Sequence, residues 1–170
     1  MSPALRDYIV FQVGWTACVA FGNSGALLAL LVCVPLQALW PGRRTNREWA
    51  LVIGFSVAGL AMDLGWQALE LLEFTGQLAV GIPLWLVVLW LLFTGTLFHS
   101  LAFLQHRLVL AAVLGAVAGP LSYLAGMRLG AATTDRETWL VLSAMAPAWA
   151  VLLPALAYLA RTPAQENPSP

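Results

Sequence analysis

Between residues 8 and 160 the chain is a succession of apolar runs, most of them about as long as a lipid bilayer is thick. A helix that crosses a bilayer needs about 20 mostly apolar residues, at ~1.5 Å of rise each. Six such segments fall at 8–21, 24–40, 48–72, 82–104, 108–129 and 138–160, the first short but extendable by its uncharged flank. They are separated where turn-forming residues gather: Gly22-Asn23-Ser24-Gly25, Pro41-Gly42, Thr75-Gly76, Gln105-His106-Arg107 and Thr133-Thr134-Asp135. Periodicity cannot separate helix from strand where every face is apolar, so length decides for helices. The expected fold is all-α, a polytopic integral membrane bundle of six transmembrane helices filling residues 1–161. Residues 162–170 read as a disordered, Pro-rich tail.

Composition removes the alternatives. Of 170 residues, 61% are apolar and 9% charged, whereas about a quarter are charged in a soluble domain. A domain of this size leaves about a third of its chain surface in water, more than so few polar groups can cover. A soluble enzyme is excluded, and so is a disordered chain. Eight acids balance eight bases, so no net field draws the chain to nucleic acid. All the bases are arginine, a usage that points to a GC-rich bacterial genome. Cys18 and Cys33 lie inside apolar runs, where thiols pack as small hydrophobes; two cannot make a disulfide framework or a zinc site.

Arginine placement sets the orientation. With the N-terminus in the cytoplasm, Arg6, Arg43, Arg44, Arg47, Arg107 and Arg161 face inward, and only Arg128 and Arg136 face outward. The expected topology is N-in/C-in, with a cytoplasmic tail. The first run reads as a retained helix, because Asp7 cancels Arg6 and no small-x-small cleavage site precedes Asn23.

Any function must then lie within the bundle, and ionisable groups there are the first suspects, each costing roughly 2.5–3.5 kcal/mol to insert. Asp63, Gln67 and Glu70 are spaced to share one helical face, with Trp66 beside it. Counted from Glu48, Asp63 lies ~22 Å along its helix, too deep for a short side chain to reach water. Tyr123 stands as far past Leu108 as Asp63 stands past Glu48, so the two share a depth. The strings Val57-Ala58-Gly59 and Val117-Ala118-Gly119 match as well, a tripeptide too short to establish a repeat. Asp63 is the candidate acid or base, with Glu70 or Tyr123 assisting; Trp66, Gln67, Trp85 and Arg128 are candidate substrate contacts. His99 and Ser100 could serve as a proton relay. Gly115, Gly119, Gly126 and Gly130 form a small-residue face of the kind that lets helices approach closely. No nucleotide loop, nucleophile motif, haem site or metal-ligand motif is present, and no cofactor is expected.

The runs Pro83-Leu84-Trp85-Leu86, Leu89-Trp90-Leu91-Leu92-Phe93 and Thr96-Leu97-Phe98-His99-Ser100-Leu101 precede Gly119-Pro120-Leu121-Ser122-Tyr123-Leu124-Ala125-Gly126 and Arg128-Leu129-Gly130-Ala131. Together they resemble the DUF2878 family of small bacterial inner-membrane proteins, tightly over the fourth and fifth segments and loosely over the third through Asp63. The resemblance implies a genomic association with fatty-acid-modifying enzymes, and no catalytic assignment comes with it. Three readings follow. The chain is a membrane enzyme or lipid-binding protein with an outer-leaflet polar pocket around Asp63, or a proton-coupled lipid carrier, or an assembly partner docking through Gly115 and Gly119. The expected partners are a membrane lipid and either a second copy of the chain or a lipid-modifying enzyme.

Overall fold

The computed structural model describes residues 1–39, 44–78 and 81–161. Trp40, the Pro41-Gly42 break, Arg43 and the tail 162–170 lie outside the described residues. Within them, the stretch Pro3–Leu39 and the helices Asn46–Ala68, Leu108–Arg128 and Thr138–Leu159 are long and apolar enough to cross a membrane, and Leu84–Thr96 is apolar but shorter. On Leu108–Arg128, Val109, Val113, Val117 and Leu121 form an exposed stripe at four-residue spacing. In water such a stripe would drive aggregation, whereas in hydrocarbon it matches its solvent. This is a small membrane protein.

Helix α1 (Pro3–Leu31) opens on Pro3, with Ser2 as its N-cap accepting from the Leu5 amide. It does not run straight. Gly22 has φ 57° and ψ −137°, a conformation that interrupts the helix and is open to glycine. Beyond it the chain folds back: a Cβ on Gly14 would stand 3.4 Å from that of Cys33, at the start of α2 (Cys33–Leu39). The turn is held by Asn23, whose amide nitrogen donates to the Gly76 carbonyl at 2.9 Å. Its oxygen accepts from the Trp85 amide at 3.2 Å. That second bond serves one of the orphan amides at the start of α4 (Leu84–Thr96), which has no side-chain cap of its own.

Helix α3 (Asn46–Ala68) begins with a full capping box between Thr45 and Glu48. It packs on α4, which also carries α1 and α2, while α5 (Leu108–Arg128) and α6 (Thr138–Leu159) pair with each other. A 3-10 turn, Ala102–His106, touches α5 and α6 and joins the two groups. Arg47 donates to the Arg161 carbonyl, and Arg161 in turn to the Gln105 carbonyl, which closes this end of the bundle.

Three features depart from the sequence reading. Helix α4 stops at Thr96, short of Leu104, because the apolar composition continues into turns and the 3-10 segment. Helix α3 stops at Ala68, short of Leu72. At that far end two short strands, β1 (Glu73–Phe74) and β2 (Ala132–Thr133), pair antiparallel with Glu73 opposite Thr133. The third concerns the glycine face. Gly115 and Gly119 are buried against α6, where a Cβ on the first would fall on the Trp149 carbonyl and on the second its indole. Close approach is their role, within one chain, and the expected docking surface is already covered.

The ends of α3 and α5 are built alike. Each closes with a residue in the left-handed region, Glu70 at φ 55° and Gly130 at φ 80°. The Leu71 amide reaches back to Trp66 and the Ala131 amide to Gly126, both at 2.9 Å; the Glu70 and Gly130 amides bond Gln67 and Met127. This double bond pattern is a Schellman cap.

Candidate functional site

Glycines one helical turn before a polar residue build the site. Gly59 precedes Asp63 by one turn of α3, and a Cβ there would overlap the Trp90 indole of α4. The slot admits Trp90 deeply enough that its ring nitrogen donates to Asp63 Oδ2 at 2.6 Å. Gly119 precedes Tyr123 by one turn of α5 and admits Trp149 of α6 in the same way. The Tyr123 hydroxyl donates to Asp63 Oδ1 at 2.5 Å. The two indoles stack, 5.6 Å between centroids and 7° from parallel. Asp63 is 1% exposed, and both its oxygens are satisfied by donors from other helices. The indole nitrogens of Trp149 and Trp66 lie near the Tyr123 oxygen, yet neither makes a hydrogen bond.

Asp63, Trp90, Tyr123 and Trp149 line a cavity of about 550 Å³. Apart from Gln12 and Ser122 its remaining wall is apolar, with Phe11 and Trp15 from α1, Trp85 and Leu89 from α4, and Gly115 and Gly126 from α5. Helices α1 and α5 are not packed on each other. The cavity's lining includes exposed residues of both, Gln12, Leu114 and Leu121. An apolar cavity of ligand size with a few convergent polar groups is the usual form of a binding site. A carboxyl and a phenol in hydrogen-bond contact inside it can take up and return a proton.

The structure brings together part of the expected set. Asp63 and Tyr123 are in contact, Trp66 is buried beside them, and Trp85 lines the cavity while its ring nitrogen donates to the Thr75 carbonyl. Gln67 is half-buried, with its side-chain oxygen unpartnered. Glu70 does not continue the face, because the helix has ended and its positive φ turns it outward. Its carboxylate is 85% exposed, 3.8 Å from Arg136. Arg128 is exposed on the last turn of α5, where a cation suits the helix dipole. His99 and Ser100 lie past α4 at the opposite end of the bundle from β1 and β2.

That opposite end holds a second buried acid. Asp7 is 2% exposed, and its Oδ2 accepts from both the amide and the hydroxyl of Ser100, at 3.1 and 2.6 Å. Arg44, 8% exposed, donates to the Gly95 carbonyl at 3.0 Å and lies over the rings of Trp49 and Phe98. Burial pulls the Arg44 guanidinium below the usual arginine range, while the charges of Asp7 and Glu48 hold it up. His99 is half-buried there with its Nε2 unpartnered. None of Asp7, Arg44, His99 and Ser100 lines the cavity that Asp63 lines.

Sequence reasoning missed Trp90, Trp149, Asp7 and Arg44. The signal for the two indoles was present as Gly59-x-x-x-Asp63 and Gly119-x-x-x-Tyr123, a notch beside a polar group. Asp7 sits beside Arg6 in the sequence and reads as its partner, so nothing in the sequence shows its bond to Ser100. Among the described residues no group of three or more His, Cys, Asp or Glu is placed to hold a metal ion.

The chain belongs to the DUF2878 family of proteins of unknown function, which matches residues 4–155. No curated protein and no solved structure matches it.

Proposed function

We propose that this DUF2878 protein takes the chain of a membrane lipid into the Asp63 cavity and that the Asp63–Tyr123 pair performs acid–base chemistry on it. The carrying observation is the coincidence of a largely apolar cavity of ligand size with a buried carboxyl at its wall. A lipid chain needs the first, and a proton transfer sheltered from water needs the second. The fold-back at Gly22 and the short α4 support six crossings, and the arginine distribution supports N-in/C-in insertion in a bacterial inner membrane. Asp63 then lies in the outer half. Glu70, Arg128, His99 and Ser100 have no part in this reading.

A proton-coupled lipid carrier is the second reading. The matched ends of α3 and α5 favour it, because transporters built from parallel repeats bind substrate where the repeats meet. The assembly-partner reading has lost its surface, since Trp149 occupies Gly115 and Gly119.

The test is lipid mass spectrometry on cells lacking the gene, complemented with wild type or Asp63→Asn. A lipid class should change on deletion, and only the wild type should restore it. Full restoration by an expressed Asp63→Asn protein would end the proposal. Proteoliposomes separate the two readings: a carrier moves lipid in response to a pH gradient, and an enzyme converts it without one.

A further inference from the structure

The segments α3–β1 and α5–β2 correspond at a spacing of 60, and the stacked indoles Trp90 and Trp149 that follow them on α4 and α6 are 59 apart. Asp63 and Tyr123 are 60 positions apart, and the same spacing relates Gly59 to Gly119, Trp66 to Gly126, and Glu70 to Gly130. The closing hydrogen bonds of the two helices repeat at that spacing too. So does the strand pair, in which Glu73 faces Thr133, its own counterpart. Self-counterparts that meet in an antiparallel pair, and twin indoles that stack, are what a twofold axis between two halves produces.

The symmetry is broken at two places, and both bear on the cavity. In the first half the Trp90 nitrogen finds the Asp63 carboxylate. In the second, Tyr123 stands where a carboxylate would, and the twin Trp149 nitrogen, though near the phenol oxygen, is left buried without a hydrogen bond. Trp66 fills its position in the first half. Its counterpart Gly126 lines the cavity and has open space where a side chain would be. A buried N–H in a hydrocarbon setting has no water to serve it and requires an acceptor.

We infer that the broken half is a receptor for the oxygen of a neutral single-chain lipid, an acyl ester or a fatty alcohol. The Trp149 nitrogen donates to that oxygen beside Tyr123, and the chain lies along the apolar wall of α1 and α5. A neutral oxygen is specified because a second carboxylate would sit against Asp63, a like charge in a medium that does not screen it. One chain is specified because about 550 Å³ falls in the middle of the ~300–1,000 Å³ range that suits one small ligand. This inference rests on the proposed lipid reading and adds the headgroup chemistry to it.

The experiment uses the full chain in phosphatidylethanolamine/phosphatidylglycerol nanodiscs. Tryptophan quenching is followed on adding dibromostearic methyl ester, dibromostearic acid or dibromo-octadecane. The ester should quench saturably, and the acid and the alkane without saturation. Trp149→Phe keeps the ring and loses the N–H, and should shift the ester midpoint at least tenfold. Gly126→Leu fills open space without crowding a neighbour and should abolish saturation with an unchanged melting temperature. Should Trp149→Phe fail to fold, Gly126→Leu carries the test alone. An alkane that saturates like the ester, an acid that binds as well, or a Trp149→Phe protein with the wild-type midpoint overturns the oxygen receptor and leaves the chain site standing. Saturation by none of the three probes overturns both.

Discussion

Two buried carboxylates occupy the two ends of this bundle, and their surroundings are opposite. Asp63 receives one donor on each oxygen, from α4 and from α5, and lines a cavity. Asp7 receives both its donors on one oxygen from Ser100, beside Arg44, and does not line that cavity. The first acid lies at the wall of a cavity. The second ties the start of α1 to the chain just past α4 and fixes the geometry of the closed end. Burial alone does not distinguish the two, since both are almost completely buried; the cavity at Asp63 does.

Substitutions sharpen that contrast, beginning with the largest effect. Asp63→Asn keeps an acceptor for one of its donors and should leave the protein folded. Its activity on lipid should drop by about 100-fold or more, the usual scale for removing a positioned acid or base; complementation and turnover in liposomes check this. Asp7→Ala should do the reverse. It strands the amide and hydroxyl of Ser100, with a cost of about 1–3 kcal/mol that lowers the melting temperature in detergent, while activity per folded molecule holds. If the two outcomes were exchanged, Asp7 would be the working acid. The smallest effect concerns Glu70, which adopts a left-handed conformation that its counterpart Gly130 adopts freely. Glu70→Gly should raise stability by about 1 kcal/mol and leave activity unchanged, whereas a loss of activity would return Glu70 to the site.

The apolar helices of a membrane protein are legible in the sequence because apolar runs are a one-dimensional signal. So is the meeting of Asp63 with Tyr123, since equal counts along parallel helices give equal depth. The ends of helices are not legible in the same way. Hydropathy is blind to the stop at Thr96, because Leu97, Phe98 and Leu101 continue the apolar run through turns. Extending α3 through Glu70 failed because the C-cap there uses a glutamate where glycine is usual. Strands of two residues carry no alternation to read. The matched Val-Ala-Gly tripeptides were the visible part of a longer correspondence, most of which is backbone geometry rather than residue identity.

The most direct test of the cavity as a lipid-chain site is photocrosslinking in native membranes, using a neutral lipid with a diazirine near the end of its chain. Adducts are mapped by mass spectrometry with and without excess unlabelled lipid. A chain site gives competed adducts on Phe11, Trp15, Leu89 or Leu114, which line the cavity, and loses them in Gly126→Leu. Adducts confined to Val109, Val113 and Val117, which face outward, and insensitive to competitor would mean that lipid only bathes the bundle and that the cavity is not a lipid site.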